Sequence, residues 1–248
     1  MKINFLGTGG SAITAERNGI SILIDDETLL DCSEGTTKRL IKIQKIKEIQ
    51  EILISHFHVD HSIGIFGMLW HYWLVVNRSK TLKIFGPPKI ENFVEQILKM
   101  TKTPREAFPF PIKYFEFSKS DKMKYDDITA LEVPHHKVTL AYRIDRKRSI
   151  CYTSDMGPNE EIVAFAKNSD LLIHDVSASE KQAEWAHKYY HCTSKDAAIN
   201  AKKANVKTLV LIHVMPQNEK NKNILVQEAR NYFNGEIILA EDLTEIEI

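Results

Sequence analysis

The chain has 248 residues, 43% of them hydrophobic and 27% charged, so it can bury a sizeable core and reads as an ordinary globular protein. A formal net charge of +0 excludes a global field that would draw in nucleic acid or an anionic membrane, while leaving room for a local basic groove. Three scattered cysteines, Cys32, Cys151 and Cys192, argue for reduced thiols over a disulfide framework, and neither a signal peptide nor a bilayer-long apolar run is expected; the expectation is a cytoplasmic protein with no membrane partner.

In chain order, residues 3–6 read as a strand leading into the tight loop Gly7-Thr8-Gly9-Gly10-Ser11. That loop lacks both the full dinucleotide fingerprint and a phosphate-loop lysine, so nucleotide binding is a weak reading of it. Short strands are expected at 20–24 and 28–30, then a basic helix over 36–47 with Leu40, Ile43 and Ile46 inward and its lysines in solvent. Residues 63–76 spell a helix that is apolar nearly all round, which implies burial on more than one side; core packing explains it, and a subunit interface is the alternative. A strand at 81–85, an amphipathic helix at 89–100 and a proline-rich irregular loop at 101–111 follow. Residues 112–152 are mostly β, with strands at 112–117, 128–133, 140–144 and 149–152. The remainder alternates: helices at 160–167, 194–204 and 220–233, strands at 171–174, 208–212 and 237–240. No repeat or linker breaks the series, so residues 1–248 are expected to form one domain of two sheets between helical layers.

The chemistry is concentrated in Ser55-His56-Phe57-His58-Val59-Asp60-His61, directly after the apolar run Ile52-Leu53-Ile54. A lone surface histidine is usually just solvated. Four ligand-type residues in six positions after a buried strand point instead to a metal. In an extended backbone His56, His58 and Asp60 would share one side and His61 would face another centre, which suits two metals better than one. Imidazole and carboxylate suit zinc, and also manganese or iron. A two-metal site needs further ligands, and three later strands end in candidates: the pair His135-His136, Asp155, and His213. Strand ends hold side chains rigidly while the adjoining loops admit substrate.

With these segments assembled, the sequence resembles the metallo-β-lactamase superfamily of binuclear metallohydrolases, and within it the ribonuclease Z branch. The likeness runs over nearly the whole chain. Its markers include Phe5-Leu6-Gly7-Thr8-Gly9-Gly10, Arg17-Asn18, Leu30-Asp31-Cys32-Ser33-Glu34-Gly35-Thr36, His56-Phe57-His58-Val59-Asp60-His61, Ala141-Tyr142-Arg143-Ile144, Thr153-Ser154-Asp155, His174-Asp175, His191-Cys192-Thr193 and Ile212-His213. The resemblance implies a four-layer αββα sandwich of two mixed β-sheets flanked by helices. It implies two divalent ions, zinc first, with Mn2+ or Fe2+ as alternatives. One ion would be held by His56, His58 and His135, chosen over His136 by its spacing to Tyr142; the other would take Asp60, His61 and His213, with Asp155 bridging both. Two metals about 3.5–4 Å apart can share a hydroxide and stabilise charge on a substrate oxygen. The catalytic set would be Asp60, His191 as general acid, and Asp175 orienting His191, one methylene shorter than the glutamate usual there. A solvent-exposed loop histidine is the plainer reading of His191. The glycine loop at 7–10 would shape the site's floor.

Ribonuclease Z enzymes carry a long inserted arm that grips tRNA between the Tyr-Arg strand and the bridging aspartate. Here Tyr142 and Asp155 are 13 positions apart, room for a hairpin only, and its residues Arg143, Arg146, Lys147 and Arg148 are explained by a solvated turn. Nucleic-acid affinity is driven mainly by phosphate contacts, which a net charge of zero does not favour. The expectation is therefore a phosphodiesterase of a small phosphodiester, working as a homodimer. The alternatives are a hydrolase of a lactone, thioester or other carbonyl ester, or a ribonuclease Z-type endonuclease, with RNA possible but not favoured. A non-catalytic scaffold protein would show degenerate ligands, and none is missing.

Overall fold

The computed structural model describes residues 1–119 and 123–248. Among these, fourteen strands form two seven-stranded sheets. The first contains β1 (Lys2–Gly7), β2 (Ser21–Ile24), β3 (Thr28–Leu30), β4 (Glu51–Leu53), β5 (Leu82–Gly86) and β6 (Ile112–Glu116) in sequence order. The second contains β7 (Lys124–Tyr125), β8 (Ile128–Val133), β9 (Thr139–Asp145), β10 (Ser149–Tyr152), β11 (Leu171–Asp175), β12 (Thr208–Ile212) and β13 (Glu236–Leu239). The last strand, β14 (Thr244–Glu247), returns to the first sheet and pairs antiparallel with β1.

Both sheets are mixed. Strands β3 to β6 run parallel, as do β10 to β13, while antiparallel pairs flank them. Parallel strands covered on both faces read as continuous apolar runs, and Leu209-Val210-Leu211-Ile212 in β12 is buried throughout. The central layer packs Ile3, Phe5, Ile22 and Leu53 of the first sheet against Tyr142, Tyr152, Ile173 and Val210 of the second. Helices α1 (Thr36–Lys42), α3 (Gly64–His71) and α4 (Ile90–Met100) cover the outer face of the first sheet through Leu40, Leu69 and Val94. Helices α5 (Glu161–Phe165), α7 (Ser194–Lys203) and α8 (Asn223–Arg230) cover the second through Ile162, Ala197, Ala201 and Leu225. Small alanines let α7 approach the sheet closely. The result is the expected four-layer αββα sandwich.

Several elements differ from their sequence reading. Helix α1 stops at Lys42, so 43–47 form turns rather than a further helical turn. The apolar segment 63–76 is helical but changes to a π-turn over Tyr72–Val76, and it is not buried all round: Trp70 is 42%, Leu74 59% and Val75 68% exposed. The segment 220–233 is a 3-10 turn at Pro216–Asn221 followed by the shorter α8. Among the described residues no helix is long and apolar enough to cross a membrane. The cysteines Cys32, Cys151 and Cys192 are free and buried.

A tyrosine and a backbone amide of β9 stitch the sheets together next to the histidine segment. The Tyr142 hydroxyl of β9 donates to the Ile54 carbonyl at 2.7 Å, and the Leu140 amide donates to the Ser55 carbonyl at 3.0 Å. Tyr142→Phe removes one buried bond and leaves the Ile54 carbonyl without that donor, at a cost of about 1–2 kcal/mol. Urea denaturation should show a lower midpoint with an unchanged slope; an unshifted midpoint would refute the cross-sheet role.

Candidate metal centre

The candidate ligands stand at the carboxyl ends of β4, β8, β10 and β12, where the two sheets open toward solvent. Carboxyl ends of strands in such sheets are common sites for ligands, because loops there converge on rigid supports. The loop after β4 is extended through His56 and His58, but Asp60 and His61 lie in a one-turn helix, α2 (Val59–Ser62). The alternation expected through Asp60 therefore ends at His58, and it is helical rotation that turns His61 away. This turn is clamped by backbone: the Cys32 amide donates to the His61 carbonyl (2.7 Å), and the Gly64 amide to the Cys32 carbonyl (2.8 Å). A side chain at Gly64 would meet the Ser33 carbonyl oxygen at 1.8 Å, so only glycine fits this approach.

Two groups of ligand atoms result, each lying within 4.8 Å: His56, His58, His135 and Asp155 in one, Asp60, His61, Asp155 and His213 in the other. Asp155 belongs to both. Its oxygens lie 3.2 Å from His61 Nε2 and from His213 Nε2, and 3.9 Å from the Nε2 atoms of His56 and His135. Asp60 Oδ2 lies 3.6 Å from His61 Nε2 and 3.5 Å from His213 Nε2, and accepts the Ser11 amide at 2.7 Å. His136 is exposed and stands outside both groups. The glycine loop borders the centre as expected, because a side chain at Gly10 would strike the His213 imidazole at 2.5 Å. His213 itself has φ 63 and Ser154 φ 55, left-handed conformations that cost a non-glycine residue roughly 1–3 kcal/mol and cluster at functional sites.

The donor set fits divalent ions. Buried polar atoms normally find partners, yet the buried Nε2 atoms of His56, His61 and His213 have no hydrogen bond. Their opposite nitrogens are held: His61 Nδ1 lies 2.7 Å from Asp31 Oδ2, His56 Nδ1 3.0 Å from Ser55 Oγ, and His213 Nδ1 2.7 Å from Ser177 Oγ. His135 Nδ1 lies 3.1 Å from the Tyr190 carbonyl. Such outer partners fix the tautomer and aim the free nitrogen inward. Asp31, Ser55, Ser177 and Tyr190 carry these contacts, and none was singled out for such a role from sequence. Asp31 and Ser55 stand in segments that the sequence does mark, the Leu30–Thr36 stretch and the histidine segment, whereas Ser177 and Tyr190 carry no such signal.

Burial holds His56 well below the ordinary imidazole range and pushes His135 down to about 4, which keeps both neutral. Burial opposes charge on His61 and His213 as well, but Asp155 and its carboxylate neighbours overcome it and raise both well above that range. Asp155 is buried too, yet His213 and His61 hold its carboxyl well below the usual carboxylate range.

A second pair adjoins this centre. His191 Nδ1 lies 3.0 Å from Asp175 Oδ2, and the Ser177 hydroxyl donates to Asp175 Oδ1 at 2.7 Å. Asp175 is wholly buried and His191 only 7% exposed, so the reading of His191 as a solvent-exposed loop residue is excluded. Burial lowers the pKa of His191, but the Asp175 charge and hydrogen bond raise it overall. A cavity of ≈ 240 Å³ opens onto His58, Asp60, His135, Asp155 and His191. His174 takes no part; its Nδ1 faces the Asp175 carbonyl at 2.9 Å and its Nε2 faces Asn200 at 3.1 Å.

Comparison with known proteins places the chain in a family. Residues 27–214 match the family model described as beta-lactamase superfamily domain. Ribonuclease Z of Picrophilus torridus is 30% identical over 296 residues, covering 98% of this chain and 94% of that protein. Ribonuclease Z of Haloarcula marismortui is 28% identical over 300 residues, covering 98% and 95%. Both alignments are longer than the 248 residues of this chain, so these relatives carry residues with no counterpart here. Among solved structures, human tRNase Z, short form, superposes with a TM-score of 0.82 at 25% identity, covering 100% and 99% of the two chains. The metallo-beta-lactamase fold protein YhfI from Bacillus subtilis superposes with a TM-score of 0.83 at 23% identity, covering 99% and 98%, and speaks for the fold.

Protons and cations compete for His61 and His213, so loading an ion at pH 7 should release protons, and affinity should fall as the pH is lowered. Calorimetry in two buffers of different ionisation enthalpy reads the release; identical heats would contradict it. Asp31→Asn should weaken the ion held by His61 roughly 10- to 100-fold more than its neighbour. Metal titration followed by elemental analysis would oppose this if both equivalents were retained equally.

Proposed function

The chain belongs to the β-lactamase superfamily of metal-dependent hydrolases, on its ribonuclease Z-like branch, and from that premise we propose that it hydrolyses phosphodiester bonds of RNA. The sequence alone put a small phosphodiester first; relatives named ribonuclease Z, matching over nearly their whole length, move the nuclease reading ahead of it. The observation that carries the reading is the buried His191–Asp175 pair beside the candidate metal centre. An alkoxide leaving from phosphorus needs a proton, and this pair is placed to supply one.

In this reading His56, His58, His135 and Asp155 would hold one divalent ion and Asp60, His61, His213 and Asp155 a second, with zinc suited to the donors. Bound ions supply positive charge to phosphoryl oxygens and make water a competent nucleophile at neutral pH. Asp60, whose carboxylate accepts the Ser11 amide, would orient a water for attack. His191 donates its Nε2 proton to the leaving oxygen. Asp175 holds Nδ1, fixing the ring and favouring the protonated form.

A small phosphodiester remains the second reading, on one specific observation. Strands β9 and β10 are joined by residues 146–148 alone, and Arg146 there is tied to Asp127 and to Glu51 (2.8 Å). This hairpin offers no arm and little free positive charge for gripping a large RNA. A single domain, a reducing cytoplasmic setting for the three free thiols, and a homodimer through the exposed Trp70, Leu74 and Val75 complete the proposal.

Purified, metal-loaded protein should cleave a precursor tRNA bearing a 3′ trailer, and bis(p-nitrophenyl) phosphate more slowly. Cleavage of the small diester alone would select the second reading, and preference for a p-nitrophenyl carboxylic ester over both would reject phosphodiester chemistry. His191→Ala should lower kcat roughly 10²- to 10⁴-fold with metal content retained. In the parent, kcat should fall as pH rises through the elevated pKa of His191. Asp175→Asn removes the charge that raises it, so the alkaline limb should move to lower pH; an unmoved limb would exclude His191 as the acid.

A further inference from the structure

Beside the candidate centre lies a short helix, α6 (Ala183–Lys188). It carries Trp185, and Tyr189 follows one turn later, their ring centroids 5.6 Å apart. The indole is nearly parallel to the His191 imidazole, at 10° and 6.4 Å between centroids. Both rings line the 240 Å³ cavity of the centre, and both also line an adjoining cleft of ≈ 550 Å³. Lys181, Lys188, Gln182, Glu184 and Gln217 complete that cleft. Neither ring belongs to any of the three hydrophobic cores among the described residues, and Tyr189 is 42% exposed. Core packing therefore does not explain them.

We infer that Trp185 and Tyr189 form a stacking subsite for the nucleobase of the nucleoside that leaves, resting on the phosphodiesterase reading above. Three observations support it. The rings are continuous with the cavity onto which His191 opens. Trp185 stands against His191, the group that protonates the leaving oxygen, so the base attached to that leaving nucleoside is the one within reach. Lys181 and Lys188 put positive charge at the rim, where the next phosphate of a single strand would lie, and the glutamine amides can meet base edges without demanding one sequence. Stacking on aromatic rings tolerates any base because every base presents a π-face. This also supplies a grip that the short β9–β10 hairpin does not.

The test uses the metal-loaded protein and three substrates: a uridine dinucleotide phosphodiester, the same molecule abasic on the leaving side, and the same molecule abasic on the other side. The parent should prefer the full dinucleotide over the leaving-side abasic substrate by roughly 5- to 150-fold in kcat/KM, the worth of one stacked base. In Trp185→Ala that preference should collapse toward 1, and Trp185→Phe should restore much of it. A preference kept in Trp185→Ala, or one that depends on the base of the other side, overturns the inference. Binding gives a readout independent of turnover: uridine 5′-monophosphate should quench tryptophan fluorescence at lower concentration than ribose 5-phosphate, with the difference lost in Tyr189→Ala, which keeps the indole reporter. Equal affinity of the two ligands for the parent overturns the subsite. Hydrolysis of none of the three substrates, with the precursor tRNA and bis(p-nitrophenyl) phosphate also left intact, overturns the phosphodiesterase reading; whenever the dinucleotides are not cleaved, the binding arm decides the subsite alone.

Discussion

Asp31 is the interaction on which the arrangement turns. It follows β3 in a left-handed conformation, φ 54, with no solvent exposure. Its two oxygens accept the Ser55 amide (2.7 Å), the Ser55 hydroxyl (2.8 Å) and the Tyr152 hydroxyl (2.6 Å), and Oδ2 meets His61 Nδ1 at 2.7 Å. A buried carboxylate is tolerable only when its lone pairs are used, and here they are. The partners come from three places: the start of the histidine segment, its far end, and β10 of the opposite sheet. One side chain thus joins the two sheets and sets both ends of the segment bearing four of the candidate ligands.

The other half of the centre has a matching support. Asp175, at the end of β11, is buried and holds His191 directly, and through Ser177 it reaches His213. Asp155 lies between the two supports and belongs to both ligand groups. Rigid outer contacts of this kind place donors in advance, so little reorganisation is left for the moment of reaction. Histidines of similar burial nonetheless differ in their preference for charge: burial and the neighbouring His61 hold His56 well below the ordinary imidazole range, whereas for His61 and His213 the Asp155 charge and nearby carboxylates outweigh burial and raise both well above it.

Charge is distributed by the same economy. The arginines of the β9–β10 hairpin are engaged by Asp145, Asp127, Glu51 and Asp170 rather than offered to a substrate. The walls of the cavity carry a different kind of contact, because α6 brings the Trp185 and Tyr189 rings beside His191. A chain with zero net charge can still act on a polyanion if contact is made near the reacting phosphate instead of along a basic surface.

The sequence by itself determined the elements whose pattern is local. The strands β11 and β12 announce themselves as apolar runs, and the spacing from His56 to His61 with Asp155 and His213 at later strand ends points to the histidine and aspartate cluster that the structure assembles. Two sheets between helical layers followed from the series of strands and helices, and the αββα sandwich of mixed sheets from the family resemblance. Elements defined by a neighbour were not legible. Strand β14, Thr-Glu-Ile-Glu, is half-exposed and exists through its pairing with β1; α6 buries only Ala186 and so shows no apolar stripe. The helix after the ligand segment is apolar all round, but burial depends on what packs against each face, and Trp70, Leu74 and Val75 face outward. The choice of His135 over His136 came from the family resemblance, and the structure places His135 in the cluster. Tertiary structure alone decided that Asp60 and His61 sit on a helical turn and that Asp31 supports His61, because these depend on where distant segments of the chain come together.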